Sequence, residues 1–226
     1  MAQNKPILRI AALLVVVLML AILAGAAYYL FEVQPHPPIA PGGVLFSDDF
    51  SVSGRGWETW EGAEGSWVGH QSGGLRILVG QPYYDYWTRL PERYTDVYIE
   101  VDALTIGGPN DNNFGLLCRA QGDESYYAFL ITSDGYYGII KVHNGSFVYL
   151  SAPDGLTYSE SIHRGLASNR IGAYCAGGHL LLAVNGEVLA QADDDDLSSG
   201  QVGLTAGSSE EAGVDILFDN FVIYQP

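Results

Sequence analysis

Short runs of alternating apolar and polar residues recur from Val44 to the C-terminus, separated by residues typical of turns. This period of two is the pattern of a β-strand with one buried face. No run in this part has the period of an amphipathic helix, and a turn at 159–163 is the single helical candidate. The pattern predicts an all-β sandwich of two antiparallel sheets. The predicted strands are 44–49, 56–61, 66–69, 74–79, 84–89, 95–105, 113–120, 125–132, 137–143, 147–151, 170–175, 179–184, 187–192, 201–206 and 214–224.

Three consecutive strands between residues 113 and 143 predict a meander, because only short segments rich in Gly, Asp and Ser separate them. Two Asn-Gly pairs, at 144–145 and 185–186, stand between apolar strands. Asn-Gly in that position is the strongest short-range signal of a β-hairpin. The meander is therefore the part of the sheet that the sequence defines best.

Strand alternation assigns side chains to faces. In the strand at 95–105, Tyr98, Glu100 and Asp102 share the face opposite to the apolar one. Alternation in the first meander strand predicts that Arg119 points outward, next to these carboxylates, and Lys141 joins from the third meander strand. These five residues form a candidate ligand-binding face.

The N-terminal part has a different pattern. Residues 10–31 contain no charged or strongly polar side chain, and as a helix they would extend about 33 Å, enough to cross a bilayer. Lys5 and Arg9 precede this run, which predicts residues 1–9 in the cytoplasm and the rest outside the cell membrane. The sequence thus predicts a single-pass signal anchor with an extracytoplasmic C-terminal domain.

A cleaved signal peptide is the alternative for this segment, because the small residues at 24–26 fit a cleavage site. Under both interpretations, the remainder of the chain is exported from the cytoplasm. Residues 32–43 contain four prolines and predict an extended linker. Residues 44–226 form the predicted β-sandwich domain.

Composition narrows the range of partners. The 26 acidic residues outnumber the 10 basic ones, for a net charge of −16. Nucleic acids and anionic lipid surfaces require basic patches, so they are excluded as partners of the domain. Neutral sugars, cations and basic partners remain compatible with this charge.

The only cysteines, Cys118 and Cys175, both lie in predicted strands of an exported domain, where disulfides persist. They predict a disulfide, with two buried free thiols as the alternative. A dense aromatic run adds Tyr84, Tyr86 and Trp87 as candidate sugar-stacking residues, although alternation turns about half of any such run into the core. The four aspartates at 193–196 are expected to form a solvated acidic turn.

At the level of short motifs, the chain resembles the concanavalin A-like lectin/glucanase superfamily, jelly-roll sandwiches that include laminin G-like domains. Within it, the sequence is similar to exported domains of the 3-keto-disaccharide hydrolase-like family. The motifs that carry this resemblance are the segments 48–50, 56–57, 74–77, 95–101, 113–119, 169–171, 180–187 and 218–222.

The resemblance implies a curved sheet whose concave outer face can hold carbohydrate. It also implies that the first and last strands lie side by side, which would bring Asp48 and Asp49 near Asp219 as a candidate structural Ca²⁺ site. Glu100-Val101-Asp102 is similar to the Glu-x-Asp-x-x-Glu strand of family-16 glucanases, but Thr105 replaces the second glutamate. That replacement removes half of the pair that a glycosidase needs, so no catalytic residue is predicted.

Three functions remain open from the sequence. The first is a membrane-anchored binding module for carbohydrate or another surface polymer. The second is a glycoside-active hydrolase of the 3-keto-disaccharide type, and the third is a structural or sensory ectodomain that contacts another protein.

Overall fold

A computed structural model describes residues 41–226, together with residues 17 and 19–21, which are helical. The predicted membrane segment 10–31 and most of the linker 32–43 lie outside the described residues, so both stay predictions. In the described part of the chain, no helix is long and apolar enough to cross a membrane. The described residues from 41 to 226 belong to one compact unit.

The described part of this unit contains sixteen strands and a short 3-10 turn at Ala63–Gly65. The strands are β1 (Val44–Asp48), β2 (Trp60–Glu61), β3 (Trp67–Gln71), β4 (Gly74–Val79), β5 (Asp85–Tyr94), β6 (Val97–Gly107), β7 (Asn112–Ala120), β8 (Tyr126–Ile131), β9 (Tyr136–His143), β10 (Ser146–Tyr149), β11 (Thr157–Tyr158), β12 (Ser168–Ala176), β13 (His179–Val184), β14 (Glu187–Asp193), β15 (Gly200–Ser208) and β16 (Val214–Tyr224).

The strands form two antiparallel sheets. The nine-stranded sheet has the order β14-β13-β12-β6-β16-β4-β3-β2, and β1 also pairs with β16. The seven-stranded sheet has the order β10-β9-β8-β7-β15-β5, and β11 pairs with β9. The predicted all-β sandwich is therefore confirmed, and so are the meander (β7 to β9) and the pairing of the first strand with the last.

Both Asn-Gly hairpins form as predicted. Asn144 and Gly145 have φ values of 51° and 73° between β9 and β10, and Asn185 and Gly186 have 52° and 87° between β13 and β14. Positive φ at both central residues is the geometry that follows the right-handed twist of the paired strands.

A few elements differ from the sequence prediction. The strand predicted at 56–61 is reduced to β2, because Gly56 has a φ of 101°, which extended strands do not adopt. Residues 159–163 form a turn without a helix, and the two-residue β11 was missed. Backbone hydrogen bonds from Gly42 and to Gly43 tie the end of the predicted linker to Gln225.

The core lies between the two sheets and consists of the inward-facing residues of both. Phe114, Leu116 and Cys118 of β7 face Ile99 and other apolar residues of the nine-stranded sheet. The predicted disulfide between Cys118 and Cys175 is confirmed, and it joins β7 of one sheet to β12 of the other across this core.

Candidate functional site

A cleft of about 560 Å³ lies on the outer face of the seven-stranded sheet. Strand alternation creates it, because turning Phe114, Leu116 and Cys118 into the core turns Leu117 and its neighbours outward. The residues that line the cleft are Asp85, Trp87, Asp111, Asn112, Asn113, Leu117, Tyr126, Ala128, Leu130, Thr132, Asp134, Tyr136, Ile140, Phe147, Tyr149, Leu156, Thr205 and Ser209.

The floor of the cleft is apolar. Leu117, Ala128, Leu130 and Ile140 form a second buried cluster, separate from the main core, on the outer face of β7, β8 and β9. Each of them is at most 8 % exposed, although no second layer of secondary structure is part of this cluster. An apolar floor of this kind favours ligands that present a flat hydrophobic surface.

Two positions on the strands of the cleft, Gly207 and Gly115, leave no room for a larger side chain. Gly207 lies between Asp85 and Asn113 in the cross-strand register. A Cβ at Gly207 would lie 1.7 Å from Asp85 Oδ1, so only glycine leaves room for the 2.9 Å hydrogen bond that Asn113 donates across it. Similarly, a Cβ at Gly115 would come within 2.0 Å of the carbonyl oxygen of Phe129.

Aromatic side chains stand on the two sides of this floor. Trp87 and Tyr126 pack against its cluster, with ring centroids 6.3 Å apart. Phe147 and Tyr149, on the edge strand β10, lie edge to face at 4.7 Å, and Phe147 is 51 % exposed. Exposed aromatic rings around an open apolar floor are suited to stacking on the carbon face of a sugar.

Polar groups occupy one rim. Asp85, Asp111 and Asp134 lie near the ends of β5, β7 and β8 that the register places side by side. Each accepts a hydrogen bond from a neutral group, respectively the Asn113 amide at 2.9 Å, the Ser209 hydroxyl at 3.0 Å and the Thr132 hydroxyl. The rim therefore offers carboxylate acceptors beside a hydrophobic floor.

The aromatic run that the sequence singled out divides between the two faces. Trp87 lines the cleft, and its role in stacking on sugars stays a prediction. Tyr86 packs on the core against Trp60 with ring centroids 4.7 Å apart, and Tyr84 stacks on Tyr86 at 5.9 Å. Tyr84 and Tyr86 are therefore outside the cleft lining.

Sequence reasoning missed the carboxylates and the edge aromatics of the cleft. Phe147 and Tyr149 alternate within β10, so the period of two was an available signal. Asp111 and Asp134 lie in connections between strands, and only the tertiary structure shows that these connections meet at one rim.

The predicted outward position of Arg119 is wrong. Arg119 is 2 % exposed and has a φ of 52° at a bulge, where the β7–β15 register shifts between Gln201 and Gly203. The extra residue at the bulge breaks the alternation and directs the guanidinium inward. There it donates to the carbonyls of Thr95 at 3.0 Å and of Gly177 and Leu197 at 2.8 Å.

The remainder of the predicted binding face is dispersed as well. Tyr98, Glu100 and Asp102 lie on β6 of the nine-stranded sheet, whereas the cleft and the β9 residue Lys141 belong to the seven-stranded one. Arg170 takes the place expected for Arg119, with ion pairs of 2.7 Å to Glu100 and 3.0 Å to Asp102. These carboxylates are paired structurally and do not line the cleft.

On that acidic strand, the position of the second glutamate of the glucanase motif faces the core. Thr105 is buried, and its hydroxyl lies 2.9 Å from that of Ser133. Burial, followed by the hydrogen bond to Glu100, raises the pKa of the Tyr98 hydroxyl. On the outer face of β6, hydrogen bonds and ion pairs therefore link Tyr98, Glu100 and Asp102 to each other or to Arg170.

The candidate Ca²⁺ ligands do not meet as a group. Asp48 is buried and accepts hydrogen bonds from the Phe50 backbone and the Trp57 indole, both at 3.0 Å. Asp49 binds Ser51, and Asp219 caps the backbone of Asn220. Within residues 41–226, no group of three or more His, Cys, Asp or Glu side chains could hold a metal ion. A Ca²⁺ site at these positions stays a prediction.

Lys141 has a structural environment that the sequence did not suggest. It forms ion pairs with Asp194 and, at 2.6 Å, with Asp196, while the Tyr127 hydroxyl donates to Asp194 at 2.5 Å. Burial raises the pKa of the Asp194 carboxyl, but the bonds from Lys141 and Tyr127 outweigh burial and lower it below 3.8. The acidic run is thus anchored to the meander.

We expect Lys141→Met to lower the free energy of unfolding by about 1–2 kcal/mol near neutral pH, because Asp194 loses its cation. A carboxyl with a lowered folded-state pKa stabilises the fold above its unfolded pKa and loses that effect as the pH falls through the folded pKa. The difference in the free energy of unfolding between Lys141→Met and wild type should therefore shrink below about pH 3.8. Urea titrations at neutral and acidic pH measure it, and a difference independent of pH would contradict this role.

Comparison with known proteins places this geometry in a structural class. No family model matches the chain, and no curated protein matches it in sequence. Among solved structures, the carbohydrate binding module CBM66 from Bacillus subtilis aligns with a TM-score of 0.60 at 16 % identity, covering 75 % of this chain and 96 % of that one. A protein of unknown function with a galectin-like fold, also from Bacillus subtilis, aligns with a TM-score of 0.58 at 13 % identity. The alignment covers 82 % of this chain and 97 % of that one.

An enzyme shares the same fold. The beta-glucanase of Bacillus licheniformis aligns with a TM-score of 0.58 at 13 % identity, covering 82 % of this chain and 99 % of the enzyme. The two-sheet topology and these similarities show that the domain shares a two-sheet antiparallel β-sandwich fold with these proteins. Identities this low show the fold and leave the activity to be argued from the cleft.

Proposed function

We propose that the domain is a carbohydrate-binding module and that the cleft on the seven-stranded sheet is its binding site. The observation that carries the proposal is the combination of an apolar floor, exposed aromatic rings and a polar rim in one cleft. A sugar ring has a hydrophobic carbon face and a periphery of hydroxyls, so it complements such a surface on both counts.

Each part of the cleft has a role in this proposal. Trp87 and Tyr126 stack on one sugar unit, and Phe147 and Tyr149 contact another further along the sheet. Asp85 and Asn113, held by their mutual hydrogen bond, accept from and donate to ring hydroxyls. The carbohydrate-binding module and the glucanase that share this fold support the assignment by analogy.

We further propose that the module acts outside the cell, held at the membrane by residues 10–31 and spaced from it by residues 32–43. The Cys118–Cys175 disulfide supports this location, because disulfides persist in exported proteins and are rare in the cytosol.

Hydrolysis is the second candidate, and the fold of the glucanase supports it. Glycosidases flank the scissile bond with two carboxyl groups, about 5–9.5 Å apart according to mechanism. The carboxylates of this cleft, Asp85, Asp111 and Asp134, all lie on one rim, near adjoining ends of β5, β7 and β8. That distribution favours binding over cleavage, and assays for products released from any glycan that binds distinguish the two.

We expect Trp87→Ala to weaken glycan binding by about tenfold or more, because truncating a central aromatic anchor typically costs more than 1 kcal/mol. Trp67→Ala is the matched control, since Trp67 is a partly buried tryptophan on β3 of the other sheet. A glycan array followed by calorimetry on the full chain measures both variants. Equal affinity of Trp87→Ala and wild type for the bound glycan would rule out the cleft as the site.

A further inference from the structure

The three carboxylates of the cleft form no ion pair with any basic side chain among the described residues. The structure shows eleven ion pairs among the described residues, and none includes Asp85, Asp111 or Asp134. The lining residues include no Lys, Arg or His. The rim therefore presents negative charge that the described part of the chain does not neutralise.

Other carboxylates near the sheets have cations. Asp215 pairs with Arg76, Asp194 with Lys141, and Glu100 with Arg170. The chain thus places its few basic side chains at structural carboxylates. Other described carboxylates outside the cleft, such as Glu92 of β5 and Glu187 of β14, also take part in none of these ion pairs. What distinguishes the cleft is that three such carboxylates lie together beside an apolar floor.

Two arginines lie near the cleft, and neither forms an ion pair with the three rim carboxylates. The guanidinium carbon of Arg89 lies 5.9 Å from the centre of the Trp87 ring, but Arg89 pairs with Asp123 at 2.9 Å. Arg164 lies over Tyr158 at 5.9 Å. Neither arginine lines the cleft.

The negative charge reaches into the cleft. Burial raises the pKa of the Tyr126 hydroxyl, and the charges of Asp85 and Asp123 raise it further. Tyr126 packs against the apolar floor, where the low dielectric strengthens charge interactions. A positively charged ligand group at the rim would therefore be stabilised.

We propose that the cleft selects sugars that carry free amino groups, such as de-N-acetylated amino-sugar polymers, over neutral or acidic sugars. This specificity rests on the proposed carbohydrate-binding function. Each protonated amine would donate charge-assisted hydrogen bonds to a rim carboxylate while its sugar ring stacks on the aromatic side chains beside the apolar floor. Uronic acids and sulfated sugars would be repelled by the same three carboxylates. The aromatic side chains beside the apolar floor favour a sugar over a basic peptide as the cationic partner.

Calorimetry on the full chain with two oligosaccharides of equal length, glucosamine and N-acetylglucosamine oligomers, tests this specificity. A chelator in all samples prevents divalent ions from bridging the carboxylates. We expect tighter binding of the glucosamine oligomer, and a loss of the preference at high salt, because the Debye length shrinks from about 30 Å at 0.01 M to about 3 Å at 1 M.

Carboxamide variants test the assignment to the rim. Asp85→Asn, Asp111→Asn and Asp134→Asn each preserve shape and should weaken binding of the glucosamine oligomer by about two- to fivefold. The triple variant should bind both oligomers equally. Asp195→Asn is the matched control, because Asp195 is an exposed aspartate outside the cleft lining, and it should bind as wild type does.

Several results would overturn the inference. Equal binding of both oligomers, lost in Trp87→Ala, refutes the charge preference and leaves the proposed function intact. Binding of neither oligomer refutes the amino-sugar specificity, while the glycan array decides the broader function. A preference that persists in the triple variant, or tighter binding of polylysine at the same rim, also refutes it.

Discussion

The substitution Arg119→Met is expected to lower the free energy of unfolding by about 3–5 kcal/mol, because it leaves three backbone carbonyls without their donor. Arg119 is 2 % exposed and donates to the backbone carbonyls of Thr95, Gly177 and Leu197. Methionine fills similar space but leaves these acceptors without a donor, and each buried unsatisfied group costs about 1–3 kcal/mol.

The three carbonyls explain why the effect should be large. Thr95 lies in the turn between β5 and β6, Gly177 in the β12–β13 hairpin, and Leu197 between β14 and β15. One side chain from the seven-stranded sheet thus joins three connections at the same end of the sandwich. Asp96 completes this arrangement by accepting from Arg119 at 3.2 Å and from the Gly177 backbone at 2.8 Å.

Arg93→Met provides the matched control. Arg93 also reaches the loop that holds Leu197, through a 3.2 Å hydrogen bond to the carbonyl of Ser199, but it is exposed. Its loss should cost less than about 1 kcal/mol, as is usual for surface contacts. Urea unfolding of both variants provides the comparison, and similar midpoints for Arg119→Met and Arg93→Met would refute the proposed role of the buried guanidinium.

Removal of the disulfide by Cys118→Ala and Cys175→Ala together should cost about 4 kcal/mol in the chain-entropy model, given a sequence separation of 57 residues. The bond joins β7 of one sheet to β12 of the other. In the unfolded chain it therefore keeps two distant segments together and lowers the conformational entropy. Both cysteines are fully buried, so cavity formation adds to the loss in the double variant.

Reduction of the wild-type protein separates the effect of the cross-link from the effect of the cavities. It breaks the disulfide bond but keeps both sulfur atoms in the core. Thermal or urea unfolding with and without reductant should show a loss in wild type and no response in the double alanine variant. Identical stability of oxidised and reduced wild type would contradict the entropic role of the disulfide.

Much of the fold was predictable because alternation is a local property. Strands β4, β13 and β16 have the predicted bounds, and the two Asn-Gly turns join their strands as expected. The Cys118–Cys175 bond followed from cysteine count and strand placement. Local features of this kind can be predicted from the sequence because the backbone geometry of a strand or a tight turn does not depend on what packs around it.

The candidate site was only partly predictable. Trp87 was identified from the aromatic run, whereas Asp111, Asp134 and Phe147 were missed. Arg119 was assigned to the wrong side, since one inserted residue at a bulge reverses the alternation that the prediction applied. A bulge depends on the partner strand, so its position is invisible within β7 alone.

By itself, the sequence determined that this domain is a two-sheet β-sandwich with a disulfide between buried strands, because period-two alternation and turn residues encode faces and reversals locally. Tertiary structure alone decided which carboxylates are neutralised. Arg170 and Lys141 pair with acidic residues on neighbouring strands or distant loops, and Asp85 at the cleft has no such partner among the described residues. The physical reason is that ion pairing depends on distance in space, which register and bulges set after the strands have assembled.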